Sequence, residues 1–176
     1  MDTADLLAAV RTVPDFPRKG IMFRDVTTLF KQGPALAYAL DCLAGHYRGV
    51  HVDKVVGVES RGFILGGALA LRLGAGFVPV RKPGKLPAAA IRETYSLEYG
   101  TDTLELHTDA ILPGETVLMH DDLLATGGTM LASCKLVERL GGRIAGVSFI
   151  IELPALKGRG CLAPHDVFSL LSFEGD

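Results

Sequence analysis

From Lys54 onward, short β-branched and apolar runs alternate with stretches of helical spacing, and this alternation restricts the fold more than any other feature. The runs Lys54–Val58, Phe77–Val80, Thr116–His120, Ile144–Ile151 and Val167–Leu171 each have the length of a buried strand. Between the first two, Gly62–Leu73 has helical length, and its small residues Gly66, Gly67, Ala68 and Ala70 permit close packing. A further helix is expected from about Gly128 to Leu140, ended by Gly141-Gly142. Strands and helices in this order predict an α/β fold, a mostly parallel twisted sheet flanked by helices. Ahead of the sheet, Asp5–Val10 begins a short amphipathic helix that Pro14 breaks. Pro14–Gly20 reads as a rigid loop, and Pro34–Tyr47 as a helix with Leu36, Leu40 and Leu43 on one face.

The 176 residues suffice for one domain with its own core, expected to span 1–176. One stretch breaks the rhythm. Lys82–Asp109 is rich in charge, Pro and Gly, with weak strand signals only at Thr94–Leu97 and Thr103–His107. A connection this long inside a compact domain is commonly functional. It reads as a flexible, hairpin-like hood over the open end of the sheet.

Composition removes several functions. The formal net charge is −2, without the basic surplus that phosphate neutralisation demands of a duplex-binding protein, so no nucleic-acid partner is expected. No apolar run approaches the ~18 residues of a membrane span, and Met1–Val10 lacks the basic start of a signal peptide. Cys42, Cys134 and Cys161 are far apart and form no Cys-x-x-Cys pair, which argues against a disulfide framework or a zinc site. A reduced, cytoplasmic setting is the expectation.

The sharpest chemical signal is Val117-Leu118-Met119-His120-Asp121-Asp122-Leu123-Leu124-Ala125-Thr126-Gly127-Gly128-Thr129. An apolar strand runs out into two acids, then into a small-residue loop that opens a helix. Gly127 and Gly128 lack Cβ atoms, so backbone N–H groups can approach an anion closely. The helix N-terminus adds unpaired donors and partial positive charge, and Thr126 and Thr129 add hydroxyls. Ala125–Thr129 can therefore wrap a phosphate. Asp121 and Asp122, one sugar length upstream, are acceptors suited to ribose hydroxyls. An acid pair alone would more often serve a turn or a cap; the complete string points to a phosphorylated ribose.

This string resembles the phosphoribosyl-pyrophosphate (PRPP) signature of the type I phosphoribosyltransferases, although His120 stands where an apolar residue usually precedes the acids. His120 is read as a strand residue without a catalytic role. Other segments are similar to the branch of that family acting on adenine. Pro14–Pro17 with Gly20–Asp25 looks like its base-recognition segment, and Glu59–Phe63 like its first phosphate-side loop. Arg81–Pro87 and Tyr95–Gly100 look like its flexible hood. The match runs through nearly the whole chain, in order.

The resemblance implies a type I phosphoribosyltransferase fold and the reaction of adenine with PRPP to give AMP and pyrophosphate. It implies that Asp121, Asp122 and Ala125, Thr126, Gly127, Gly128 and Thr129 hold PRPP or AMP. Adenine would pair with Met22, Phe23 and Arg24, between the apolar faces of Phe23 and Leu123. Ser60, Arg61, Arg81, Lys82, Lys85 and Tyr99 would take the pyrophosphate. Glu98 is the expected acid/base group, with Glu93 and Glu105 as competitors on the same excursion. The family implies Mg²⁺ carried with PRPP or pyrophosphate rather than a pre-formed protein cage, and a homodimer in which Arg81 serves the neighbouring site. The alternatives are a phosphoribosyltransferase for another base, or a purine- or PRPP-sensing regulator without catalysis. Such a regulator would need a DNA-binding unit, and no basic recognition helix is evident before Lys54.

Overall fold

The computed structural model describes residues 1–96 and 100–174. A short helix, α1 (Thr3–Ala9), is opened by Asp2 and Asp5 in a reciprocal capping box. It leads into an antiparallel pair, β1 (Arg11–Pro14) and β2 (Met22–Asp25). Helices α2 (Thr27–Phe30) and α3 (Gly33–His46) follow, then β3 (Lys54–Val58), α4 (Gly62–Leu73) and β4 (Gly76–Val80). A second antiparallel pair is built from β5 (Ala90–Ser96) and β6 (Thr101–His107). The chain continues through β7 (Thr116–Leu124), α5 (Gly128–Arg139), β8 (Arg143–Glu152), α6 (Gly158–Cys161) and β9 (Val167–Ser172).

Five strands form the central sheet in the order β4-β3-β7-β8-β9, and every pairing in it is parallel. The strands are near-continuous apolar runs because both faces are covered. On one face α1, α2, α3 and α4 bury Leu6, Leu29, Leu43, Leu65 and Leu69. On the other, α5 and the β5–β6 hairpin bury Met130, Leu136, Leu104 and Leu106.

Two sequence expectations need correction. The expected strand Thr116–His120 continues to Leu124, so the acid pair lies inside β7 rather than beyond it. The expected Pro14–Gly20 loop joins two strands that the sequence did not predict, β1 and β2, with Arg11 opposite Asp25. The 82–109 excursion is a paired hairpin whose base is fixed: Leu104 and Leu106 are fully buried, and Glu93 is clasped by Lys135 and Arg139 of α5.

Candidate active site

Chain order sets the location. From β3 the sheet grows one way to β4 and the other way to β7, β8 and β9. The carboxyl ends of β3 and β7 therefore flank the point where strand order reverses, where open α/β sheets bind ligands. A cavity of about 400 Å³ lies there, walled by the end of β3, the loop into α4, the end of β7, the start of α5 and the hairpin.

Of the residues expected from sequence, Ser60, Arg61, Lys82, Asp121, Asp122, Leu123, Ala125, Thr126, Gly127 and Thr129 line this one cavity. Gly128 is the first residue of α5, beside it. The two glycines differ. Gly127 has φ of +82°, and a Cβ there would lie 2.6 Å from the Gly158 carbonyl oxygen and 2.5 Å from Cys161 Sγ. Gly128 has no such backbone angle, and its Cβ would make an ordinary 3.5 Å contact with the Tyr95 ring. The conformational demand for glycine thus falls on Gly127.

The acid pair is short of positive charge. Burial, then the adjacent Asp122 carboxylate, push the Asp121 carboxyl well above the usual carboxylate range. Burial also raises Asp122, and Arg61 offsets part of that rise. Arg61 Nε lies 2.8 Å from Asp122 Oδ2. Asp121 is packed against the start of α4, where a Cβ on Gly62 would come within 2.8 Å of its Oδ1.

The expected cluster of four cations divides. Arg61 and Lys82 reach the cavity, whereas Arg81 Nε is 2.8 Å and Lys85 Nζ 3.5 Å from the carboxylate of Glu59, whose side chain is only 7% exposed. A carboxylate this buried needs counter-charges. Burial opposes its ionisation, and hydrogen bonds from Arg81 and the Lys82 backbone with the nearby cations outweigh it, leaving the Glu59 carboxyl below its ordinary range.

Met22, Phe23 and Arg24 lie in β2, outside the residues that wall the cavity. Phe23 connects to it through Arg61, whose guanidinium carbon is 5.4 Å from the Phe23 ring centroid. Met22 is 38% exposed. Arg24 binds Thr12 and covers the Phe173 ring. Glu98 and Tyr99 lie outside the described residues. Of the competing acids, Glu93 is held against α5, and Glu105 is buried and bound to Arg92 and the Gly84 amide. Neither walls the cavity.

His120 is fully buried in β7, with Nδ1 2.9 Å from Ser148 Oγ, and burial lowers its pKa to about 4. Its Nε2 has no partner. This is a neutral core imidazole rather than a cavity group.

Sequence reasoning missed Tyr95, Asp102 and Glu59 as cavity residues. All three wall it. Among the described residues no set of three or more His, Cys, Asp or Glu side chains is placed to hold a metal ion, and no helix is long and apolar enough to cross a membrane.

A parallel α/β sheet with an acid pair and a glycine-bearing anion loop at its switch point defines a protein that handles phosphorylated sugars or nucleotides. Residues 27–166 match the family described as the phosphoribosyl transferase domain, and the chain belongs to that family. It is 60% identical over 168 residues to the adenine phosphoribosyltransferase of Acidobacterium capsulatum, covering 96% of this chain and 93% of that protein. It is 56% identical to the enzyme of the same name from Chlorobaculum tepidum, covering 95% and 97%. The crystal structure of adenine phosphoribosyltransferase from Thermoanaerobacter pseudethanolicus superposes with a TM-score of 0.95 at 50% identity, over 97% of this chain and 99% of that one.

Proposed function

We propose that this chain transfers the 5-phosphoribosyl group of PRPP to adenine, giving AMP and pyrophosphate. The observation that carries the reading is the continuity of one cavity wall, in which Asp121 and Asp122 on β7 run directly into Ala125–Thr129 at the start of α5. The full-length similarity to adenine phosphoribosyltransferases supports the choice of base.

In this reading the amides and hydroxyls of Ala125, Thr126, Gly127, Gly128 and Thr129 hold the 5-phosphate, using the donors and partial positive charge of the α5 N-terminus. Asp121 and Asp122 accept from the 2- and 3-hydroxyls. Their negative charge also favours the cationic sugar that develops as the anomeric bond breaks. Ser60, Arg61 and Lys82 receive the pyrophosphate. Lys85 joins them by leaving Glu59, Tyr99 adds a hydroxyl, and Arg81 turns from Glu59 to the pyrophosphate of the neighbouring protomer.

Adenine lies against Leu123 and Phe23, with the Met22–Arg24 backbone reading its amino edge. A site wired to that edge leaves buried groups unpaired with a 6-oxopurine. Glu98 exchanges a proton with the purine as N9 bonds to the sugar. The 82–109 excursion serves as the hood that excludes water.

The paired carboxylates, each pushed toward protonation, fit a hydrated Mg²⁺ brought in by PRPP, which keeps several waters and needs few protein ligands. When bound, Mg²⁺ neutralises charge on the departing pyrophosphate. A homodimer and a cytoplasmic setting complete the proposal.

The deciding experiment is a thermal-shift comparison of AMP, adenine, GMP and guanine with assay of AMP formation. A ligand that prefers the native state must raise its apparent stability. AMP should protect, GMP should not, and guanine should react at least ~100-fold more slowly than adenine. Equal protection and equal rates would remove the selectivity for adenine.

A further inference from the structure

The hairpin presents to the cavity a hydroxyl that no step above uses. Tyr95 stands opposite Asp102 across the β5–β6 ladder. Its phenol oxygen is 3.0 Å from Thr129 Oγ1 and 3.4 Å from Asp102 Oδ2. Asp102 also accepts from Lys82 Nζ and from the Thr103 amide, each at 2.9 Å. Tyr95, Asp102, Lys82 and Thr129 wall the same cavity.

The protons of this chain can be counted. Each hydroxyl carries one, and an ionised carboxylate carries none. Burial opposes the Asp102 charge, but the Lys82 and Thr103 hydrogen bonds outweigh it and hold the carboxyl below its ordinary range. Burial pushes the Tyr95 phenol up, so it keeps its proton. Two arrangements follow. If Tyr95 donates to Asp102, its oxygen accepts from Thr129, and the Thr129 proton is taken up by Tyr95. If Tyr95 donates to Thr129, the Thr129 proton is free for an anion. Phosphate oxygens here are acceptors, so only the second arrangement suits a bound phosphate. Asp102 remains paired through Lys82 and Thr103 when Tyr95 turns.

We propose that Tyr95 is a positioning residue whose hydroxyl donates to Thr129 Oγ1 and so aims the Thr129 proton at the 5-phosphate of the ligand. The proposal rests on the reading of Ala125–Thr129 as the phosphate site. It makes the hairpin a participant in phosphate binding through a side chain that never touches the ligand.

Tyr95→Phe keeps the ring beside Gly128 and removes only the hydroxyl. Calorimetric titration with ribose 5-phosphate, and separately with adenine, is carried out on the wild type, Tyr95→Phe, Thr129→Val and the double variant. Ribose 5-phosphate affinity should fall about tenfold in Tyr95→Phe, the size of one hydrogen bond to a charged group, with adenine affinity unchanged. The double variant should bind no worse than Thr129→Val, because the two groups act in series. Thr129→Ser, which keeps the hydroxyl, should restore the dependence on Tyr95. Equal losses for both ligands, or fully additive losses, would overturn the proposal. Unchanged ribose 5-phosphate binding in Thr129→Val would overturn it together with the phosphate-site reading. The base assignment fails separately, if GMP binds the wild type as well as AMP does, since the ribose 5-phosphate titrations contain no base.

Discussion

Arg61 Nε and Asp122 Oδ2 stand 2.8 Å apart in the cavity wall. This is the contact through which positive charge reaches the acid pair, and the same guanidinium lies over Phe23. One side chain therefore links the region assigned to the base with the region assigned to the sugar. Arg61→Met should let the Asp122 pKa rise, because the attraction that lowers it is lost. The acid limb of kcat/KM for PRPP should then move to higher pH, with a fall of about 10²-fold at neutral pH, the scale for breaking a desolvated charge pair. Arg61→Lys should keep the limb closer to its original place. A pH–rate series on the three proteins checks this, and an unmoved acid limb in Arg61→Met would refute it.

The two loop glycines should separate cleanly. Gly127→Ala places a side chain at φ of +82° and against Gly158 and Cys161, so urea unfolding should show a loss of about 2–4 kcal/mol from backbone strain and displaced neighbours. Gly128→Ala sits in the first turn of α5 with room for the methyl group. Its stability should stay within about 1 kcal/mol of the wild type, so any change in PRPP titration reports the ligand alone. Equal destabilisation by the two substitutions would contradict the assignment.

How far these features could be read from sequence depends on whether they are local. Lys54–Val58 and Gly62–Leu73 match their expected bounds because a β-branched run and a small-residue helix declare themselves within one window. The β1–β2 ladder was not visible, since two four-residue strands, one of them ending at Pro14, carry no alternation to detect. Tyr95 and Asp102 were missed for a different reason. They meet because the hairpin register places them opposite one another, and register is a relation between strands. The same ladder sets Glu105 opposite Arg92, and a separate bridge sets Arg81 on its other side, which turns an ordinary loop acid into a buried structural one. Arg81 and Lys85 were legible as cations near the site; their attachment to Glu59 was not.

Glu98 carries the proton-transfer claim. Glu98→Gln should slow the chemical step by roughly 10²–10⁴ with PRPP affinity little changed. Glu93 is tied to Lys135 and Arg139, so Glu93→Gln should loosen the hairpin base and leave the chemical step nearly intact. Single-turnover kinetics distinguishes them, because product release can hide a slower chemical step in steady-state rates. A near-normal step in Glu98→Gln would move the role elsewhere.

Limited trypsin digestion tests the hood. Arg92 lies within β5 and is bonded to Glu105, whereas Lys85 lies in the connection between β4 and β5 with its side chain 53% exposed. Cleavage in the free enzyme should fall at Lys85 before Arg92. PRPP with Mg²⁺ should slow it by drawing Lys85 to the pyrophosphate. A free enzyme resistant at both sites, or indifferent to ligand, would argue against a moving hood.

The back of the anion loop is made by a segment far downstream. Gly158 packs so closely on the Ala125 carbonyl that no side chain fits between them, and Cys161 Sγ lies 3.3 Å from the Thr126 carbonyl oxygen. The loop is complete in sequence by Thr129, but its rear wall is still inside the ribosome when that residue emerges. A nascent chain thus cannot use its sugar phosphate as a template while the central strands assemble. Ligand assistance to folding must wait until the Gly158–Cys161 segment has emerged, and ribosome-arrested chains ending before Gly158 should show no PRPP protection while the released chain does.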